Sequence, residues 1–275
     1  MTPAVARPVR IAVQLQPQDA EYGRIRDGLR RCEDAGVDIA FTWDHFFPLR
    51  GDPDGKHLEC WTTLAAWAEQ TSRIEIGALV TCNGFRNPDL LADMTRTVDH
   101  ISEGRLILGI GSGWFERDFT EYGYAFGTAG SRLDDLAEAL PRIESRLARL
   151  TPPPTRDIPV LIGGGGEKKT LRLVAQHADL WHWFSGPEEL PRKLDVLRRH
   201  CAEVGRDSAD IEVCAGVGGL GRAGLPPGPP EQEGAPLLAL GVTTYTINAV
   251  GPDFDLDHVV PWLAWRDAVN AERSA

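Results

Sequence analysis

The chain lacks the long apolar runs and the basic character that membranes and nucleic acids require. Its 275 residues contain no stretch of about 18 apolar residues, the length of a membrane-spanning helix, and residues 1–8 have no apolar core of signal-peptide length. Only 29 lysines and arginines stand against 40 aspartates and glutamates, a net charge of −11. Because nucleic acids and anionic membranes bind basic surfaces, we expect neither as a partner and predict a cytoplasmic protein.

Cysteine is scarce and shows no spacing typical of disulfides or zinc. None of the five cysteines belongs to a CxxC pair, so we expect reduced and mostly buried thiols. A metal site is not predicted either, because no second histidine or cysteine stands near His45 at the spacing of metal ligands.

Short β-rich segments alternate with amphipathic helices along the whole chain, the pattern of a parallel sheet with crossover helices. The length is close to the roughly 250 residues of one eight-stranded α/β barrel. We therefore predict an α/β protein with a (β/α)₈ TIM-barrel fold, formed by a single domain over residues 1–275. The eight candidate strands are 10–14, 38–43, 74–80, 105–111, 159–164, 179–184, 211–217 and 242–248.

Local signals predict several element ends. Asn87 followed by Pro88 predicts an N-cap with proline at the first helical position. Gly36 and Gly104 are predicted to end helices. Residues 218–234 have the composition of a linker and are predicted to form a loop rather than a domain boundary.

Asp44 and His45 follow the second predicted strand and are the acid/base candidates. In a barrel of this kind the reacting groups come from the loops after the strands. An imidazole titrates near neutral pH, and an adjacent carboxylate can set its charge or hold a ligand. A capping aspartate beside a packed histidine explains the pair as well, so both interpretations stay open.

Four consecutive glycines, Gly163, Gly164, Gly165 and Gly166, open a helix after the fifth predicted strand. Free backbone N–H groups at the positive end of a helix suit an anion such as a phosphate. The run is not a Walker loop, because Glu167 stands where that motif needs glycine. A flexible turn before an ordinary solvated helix is an equally good interpretation.

Three long segments carry a resemblance to a known family. They are WDHF after the second strand, RNPDLLADMTRTVDHISEGRLILGIGSGWFERDF through the fourth, and PVLIGGGGEKKTLRLVAQHADLW through the sixth. With these segments the chain resembles the luciferase-like monooxygenase superfamily, and within it the coenzyme F420-dependent oxidoreductase branch that is typical of actinobacteria. The resemblance covers nearly the whole chain.

The resemblance implies a deazaflavin ring in the barrel mouth, backed by a non-prolyl cis peptide between Ala78 and Thr81. It implies His45 as the acid/base or anion stabiliser. Glu116 is implied as a second catalytic residue, in place of a glutamate that some deazaflavin dehydrogenases carry where this chain has Trp114. The implied cofactor-binding residues are Asp44, Leu79, Val80, Thr81, Asn83, Gly111, Gly113, Gly163, Gly164, Gly165, Gly166 and Glu167.

The function implied is hydride transfer between coenzyme F420 and a small organic substrate, with His45 moving the matching proton. A second hypothesis is an FMN-dependent monooxygenase, which needs a reductase partner to supply reduced flavin. A third, from another class, is a non-catalytic flavin-binding barrel. The glycine run followed by EKKTLR favours F420. Relatives are commonly dimers, which makes a homodimer the expected assembly.

Overall fold

The computed structural model describes residues 7–219 and 225–274. Within these residues, parallel strands form one sheet in the order β3-β2-β1-β9-β8-β7-β6-β5-β4, and β3 also pairs with β5. The strands are β1 (Arg10–Leu15), β2 (Ile39–Thr42), β3 (Glu75–Ala78), β4 (Thr81–Cys82), β5 (Leu106–Gly111), β6 (Val160–Gly163), β7 (Leu180–Trp183), β8 (Glu212–Gly216) and β9 (Val242–Ala249).

The sheet closes into a barrel of eight staves. β1 pairs with β9 over its full length, and β3 and β4 together form the third stave, interrupted at Leu79 and Val80. Each of the eight predicted strands is therefore found, and the TIM-barrel prediction is confirmed. The helices are α1 (Tyr22–Ala35), α2 (Cys60–Gln70), α3 (Pro88–Ile101), α4 (Glu116–Glu121), α5 (Ala129–Leu147), α6 (Thr170–His177), α7 (Leu190–Val204), α8 (Pro230–Ala239) and α9 (Val260–Ser274).

Alternation along the strands separates the barrel interior from the layer under the helices. On β1, Ile11, Val13 and Leu15 belong to the large core between sheet and helices, whereas Ala12 belongs to a separate cluster inside the barrel. The interior cluster is apolar and fully packed, so the barrel has a filled core rather than a pore. Its members are Ala12, Ile39, Phe41, Leu79, Ile107, Leu161, Leu180 and Cys214.

An ion cluster lies at the amino ends of the strands. The Arg10 guanidinium is 2.7 Å from a carboxylate oxygen of Glu75 and 2.7 Å from one of Glu212. Burial alone would lower the pKa of Arg10, but the two carboxylates outweigh it and raise that pKa. These charges compensate one another at the end of the barrel opposite the predicted site.

Several predicted element ends are confirmed. The Asn87 side chain accepts a hydrogen bond from the N–H of Asp89, 2.9 Å away, and α3 begins at Pro88. Gly36 ends α1 with φ of 84°, and Gly104, also at 84°, follows the end of α3. Both angles lie in the left-handed region that favours glycine.

The loop predicted over 218–234 is shorter than expected, because α8 begins at Pro230. Proline at the helix start and the acidic side chains of the first turn favour this early beginning. Glu233 also accepts hydrogen bonds from the N–H groups of Gly218 and Gly228, which ties the loop to the helix. Residues 220–224 of the predicted loop lie outside the described residues.

The described residues hold all five cysteines, and each is a buried free thiol, as predicted. No helix among the same residues is both long and apolar enough to cross a bilayer.

Candidate active site

A cavity of about 430 Å³ opens at the carboxyl ends of the strands. Gln14, Leu49, Cys82 and Phe184 contribute to its wall. Eight of the residues predicted from the sequence also line it, namely Asp44, His45, Leu79, Val80, Gly111, Gly113, Gly163 and Gly164. The barrel therefore brings together predicted residues that are up to 120 positions apart in the chain, from Asp44 to Gly164.

The wall between β3 and β4 is a backbone bend. The peptide between Leu79 and Val80 is cis, within the range expected from the sequence, and both side chains line the cavity. The Gln14 amide donates to the Leu79 carbonyl oxygen, 3.1 Å away. A Cβ on Gly111 would lie 2.7 Å from Val80, and one on Gly163 would lie 3.0 Å from it. Only glycine fits at these two positions, because the strands pass so close to Val80.

His45 is held by a carboxylate that the sequence analysis did not single out. Nδ1 of His45 lies 2.6 Å from Oδ2 of Asp118, a fully buried residue of α4. The other oxygen, Oδ1 of Asp118, accepts a hydrogen bond from the N–H of Phe46 at 2.9 Å. Because an ionised carboxylate only accepts, Nδ1 carries the shared proton and Nε2 is the nitrogen left for exchange.

Aromatic rings surround the His45 imidazole edge-on. The ring centroids of Trp43, Trp114 and Phe115 lie 6.0, 5.7 and 5.8 Å from that of His45. As a result only 13% of the His45 side chain is exposed. Trp114, by contrast, is 63% exposed and forms part of the cavity wall, so its indole face is open to a bound molecule.

Asp44 lines the cavity, but both oxygens of its carboxylate already accept hydrogen bonds from other groups of the protein. Arg86 lies 2.5 Å from Oδ2 and 3.0 Å from Oδ1 of Asp44, and the N–H of Cys82 donates to Oδ2 at 3.0 Å. Arg86 also pairs with Glu59 at 2.7 Å. Burial would lower the pKa of Arg86, yet Asp44 and Glu59 outweigh burial and raise it. Asp44 thus fixes the loops after β2 and β4 to each other.

His57 packs beside Trp43 in the long loop after β2. The Trp43 indole donates to Nε2 of His57, 2.9 Å away. Burial and the neighbouring His45 lower the pKa of His57 to about 4. A neutral His57 is what an acceptor nitrogen requires, so the hydrogen bond and the pKa agree.

His182 on β7 is a second buried histidine near the cavity. Its Nε2 is 3.0 Å from the Thr246 hydroxyl, its Nδ1 has no partner among the described residues, and its ring centroid is 4.4 Å from that of Phe184. Burial lowers the pKa of His182 to about 3, so this imidazole is neutral at physiological pH. It supports Phe184, which forms part of the cavity wall.

Close packing requires glycine at two positions of the run after β6, and the run also presents backbone N–H groups that have no acceptor among the described residues. A Cβ on Gly163 would lie 2.8 Å from the Phe184 ring, and a Cβ on Gly165 would overlap the Trp183 ring. Among the described residues, the N–H groups of Gly165 and Gly166 donate to no protein acceptor. The helix itself begins later than the sequence predicted, because residues 167–169 form a turn between the glycine run and the start of α6 at Thr170. The two free donors therefore lie in the loop that leads to the helix, and backbone N–H groups of such a loop can bind an anion.

Glu167 turns away from the cavity. Its carboxylate is 2.8 Å from Lys193 and 2.9 Å from Arg192, both on α7, and its carbonyl oxygen is 2.8 Å from Nε2 of His200. Hydrogen bonds from Lys193 and Arg192 lower the pKa of Glu167. The residue thereby ties the start of α6 to α7.

Five further predicted residues lie outside the cavity wall, and one of them is Gly165, described above. Thr81 and Asn83 are buried behind it, and Gly166 is exposed beyond it. Glu116 is an exposed residue at the start of α4, whereas Asp118, two positions later, points at His45. No local pattern distinguishes the two acids, because α4 is too short for its buried side to be read from the sequence.

Comparisons with known proteins identify similar sequences and folds. The sequence profile of the luciferase-like monooxygenase family matches residues 1–218. A putative coenzyme F420-dependent oxidoreductase of Mycobacterium tuberculosis is 28% identical over 213 residues, covering 67% of this chain and 58% of that protein. An F420-dependent glucose-6-phosphate dehydrogenase of Amycolatopsis mediterranei is 30% identical over 167 residues, covering 54% of this chain and 48% of that protein.

A solved structure supports the fold. An F420-dependent secondary alcohol dehydrogenase in complex with an F420-acetone adduct superposes with a TM-score of 0.80 at 16% identity, covering 92% of this chain and 97% of that one.

The sequence matches span less than two thirds of the length of the curated relatives.

Proposed function

The chain belongs to the luciferase-like monooxygenase family, and from that membership we propose that it is a coenzyme F420-dependent oxidoreductase. In this proposal it transfers a hydride to or from a small organic substrate. The observation that carries the proposal is the pairing of His45 with Asp118 at the wall of a cavity that apolar and aromatic side chains, polar side chains and glycines line together. The F420-dependent relatives support the choice of cofactor.

The cavity fits a flat ring with an anionic tail. Its volume of about 430 Å³ lies within the range of ligand pockets, roughly 300–1,000 Å³. Leu79 and Val80 would back the ring, and Gly111 and Gly163 leave room beside them. The free N–H groups of Gly165 and Gly166 would hold a phosphate of the tail.

Bound F420 supplies the carbon that gives or takes the hydride. His45 would transfer the proton that accompanies the hydride. Its Nε2 would release a proton to a carbonyl oxygen when the carbonyl carbon receives a hydride, and would take up a proton when an alcohol is oxidised. Asp118 holds Nδ1 and so keeps Nε2 as the exchanging atom. The rings of Trp43, Trp114 and Phe115 limit the access of water to this imidazole.

The proposal is tested by equilibrium fluorescence titration of the purified protein with F420 and with FMN. We expect F420 to bind with a dissociation constant at least tenfold lower, a difference of about 1.4 kcal/mol. Tighter binding of FMN would overturn the proposal and favour the FMN-dependent monooxygenase. A tight complex with F420 that remains redox-inactive after a broad screen of alcohols, ketones and unsaturated compounds would favour the binding barrel.

The assembly and the location of the protein stay predictions. A homodimer, expected from the sequence, is tested by sedimentation equilibrium of the full chain. A cytoplasmic location is tested by fractionation of the cells that make it.

A further inference from the structure

Arg50 is a half-buried cation that follows the cavity-lining Leu49 in the chain and pairs with a neutral group. Its guanidinium donates to the side-chain oxygen of Gln16, and among the described residues it forms no ion pair with a carboxylate. Arg10 and Arg86 each have two carboxylate partners, and Arg105 has several carbonyl oxygens. Unlike these three arginines, Arg50 has one neutral side chain as its acceptor.

The surrounding amides hold the Arg50 segment in place. Gln18, which is fully buried, accepts from the N–H of Leu49 at 2.9 Å and donates to the carbonyl oxygen of Arg50 at 3.5 Å. Gln16, 1% exposed, donates to the Asn248 side chain at 3.3 Å. The guanidinium is therefore positioned before any ligand arrives, which reduces the entropy lost on binding.

The Arg50 cluster and the glycine run stand on opposite sides of the barrel. Gln16 follows β1 and Asn248 lies on β9, whereas the glycine run follows β6. In the closed order of eight staves, β6 is four staves away from β1. Leu49, the neighbour of Arg50, lines the same cavity as Gly163 and Gly164. A phosphate held at the glycine run and an anionic group held at Arg50 would therefore lie on opposite sides of the barrel.

We propose that Arg50, backed by Gln16 and Asn248, binds an anionic group of the substrate, either a carboxylate or a phosphate. A guanidinium presents parallel N–H donors that match both groups. The inference rests on the proposed function and narrows its substrate class to organic anions. The anionic group lies at Arg50, the carbon skeleton contacts Leu49, and the reacting carbon lies toward His45.

The test uses cofactor-free protein and three probes of similar size: benzoate, phenyl phosphate and the neutral benzamide. Calorimetric titration should give benzoate or phenyl phosphate an affinity at least tenfold above that of benzamide. Arg50→Gln should remove this preference, and Arg50→Lys should keep part of it. Arg117→Gln is the matched control, because Arg117 lies on α4, with Asp54 and Glu121 as its partners, and this variant should behave as the wild type.

The outcomes of this titration distinguish binding of the probes at Arg50 from binding elsewhere on the protein. An anion preference that survives Arg50→Gln means that the probes bind elsewhere, such as at the glycine run, and overturns the inference. Equal affinity for all three probes overturns it as well. If Arg50→Gln fails to fold, Arg50→Lys decides: a preference for the anions that is weaker than in the wild type supports the inference, and an unchanged preference in folded protein overturns it. The relative affinity of the two anions distinguishes a carboxylate from a phosphate substrate, and because no cofactor is present, failure here is independent of the F420 titration.

Discussion

Nδ1 of His45 and Oδ2 of Asp118 are 2.6 Å apart although 73 positions separate them in the chain. One residue follows β2 and the other lies on α4, the short helix after β5. The contact fixes the orientation of the imidazole ring and decides which nitrogen carries the fixed proton. In the proposed reaction Asp118 is therefore a positioning residue, which would act on the substrate only through His45.

Replacing Asp118 by Asn should change the protonation of His45. The amide no longer requires a donor at Nδ1, so the neutral imidazole loses its preference for the Nδ1–H tautomer. Long-range ¹H–¹⁵N spectra of the histidine side chains report the tautomer without any substrate. Glu116→Gln, at an exposed position of the same helix, should leave the His45 signals unchanged. Identical His45 signals in wild type and Asp118→Asn would remove Asp118 from its positioning role.

Replacing His45 by Ala should lower turnover by roughly 10²–10⁴, the usual contribution of a positioned acid/base, while the affinity for F420 stays within a few-fold. A proton-transfer group acts mainly in the transition state, which explains this difference. Stopped-flow hydride transfer and fluorescence titration measure the two quantities. If His45 only packs at the rim, the variant would instead melt at a lower temperature with turnover per folded molecule unchanged.

Removal of Arg86 should destabilise the protein strongly. Arg86→Met leaves the buried Asp44 carboxylate without its cation, and breaking a buried pair costs about 3–5 kcal/mol. Urea unfolding of Arg142→Met is the control, because the Arg142 pair with Asp89 is exposed and contributes at most about 1 kcal/mol. The double variant Asp44→Asn/Arg86→Met should be more stable than Arg86→Met alone. Equal losses in both single variants would contradict this assignment of the ion pair.

Replacing Gly165 should affect folding before it affects the cofactor. From the sequence alone, a larger residue at Gly165 would weaken phosphate binding in a folded barrel; the overlap of its Cβ with Trp183 changes that expectation. We expect Gly165→Ala to cost about 1–3 kcal/mol, as overpacked cores do. Gly23→Ala, where a Cβ meets nothing within 4 Å, should be neutral or stabilising. Equal stability of the two variants in urea would argue against the overlap.

The buried His182 predicts a loss of stability in acid. Burial lowers its pKa to about 3 in the folded protein, whereas an unfolded histidine titrates near about 6.5. Between these values the unfolded chain binds a proton that the folded chain does not, so stability falls with falling pH by about 1.4 kcal/mol per unit.

Urea unfolding between pH 7.5 and 5 measures this loss. The wild type should lose about 2 kcal/mol more than His182→Gln over that window. Thr246→Val removes the hydrogen bond but keeps the imidazole, so it should retain the wild-type dependence on pH. A His182→Gln variant as acid-sensitive as the wild type would show that His182 does not cause the loss.

The order of strands and helices was determined by the sequence itself. The alternation of β-rich runs with amphipathic helices predicted all eight staves to within about two residues at their ends. Each run is a local pattern of residue types, so it can be read from the sequence without knowledge of the tertiary structure. The Asn87–Pro88 start of α3 was readable for the same reason. The family resemblance implied Gly111 and Gly163 as cofactor-binding residues, but it did not show that both stand against the Val80 side chain, which only the structure revealed.

The partners of the site residues were decided only by the tertiary structure. Asp118 reaches His45, and Arg86 occupies Asp44, through contacts between loops that are 73 and 42 positions apart. Arg50 reaches Gln16 in the same way, across 34 positions. Such contacts depend on how barrel closure brings the strand ends together, and no spacing along the chain encodes them. The sequence therefore determined which end of the barrel carries the candidate residues, and the fold determined which side chains meet there.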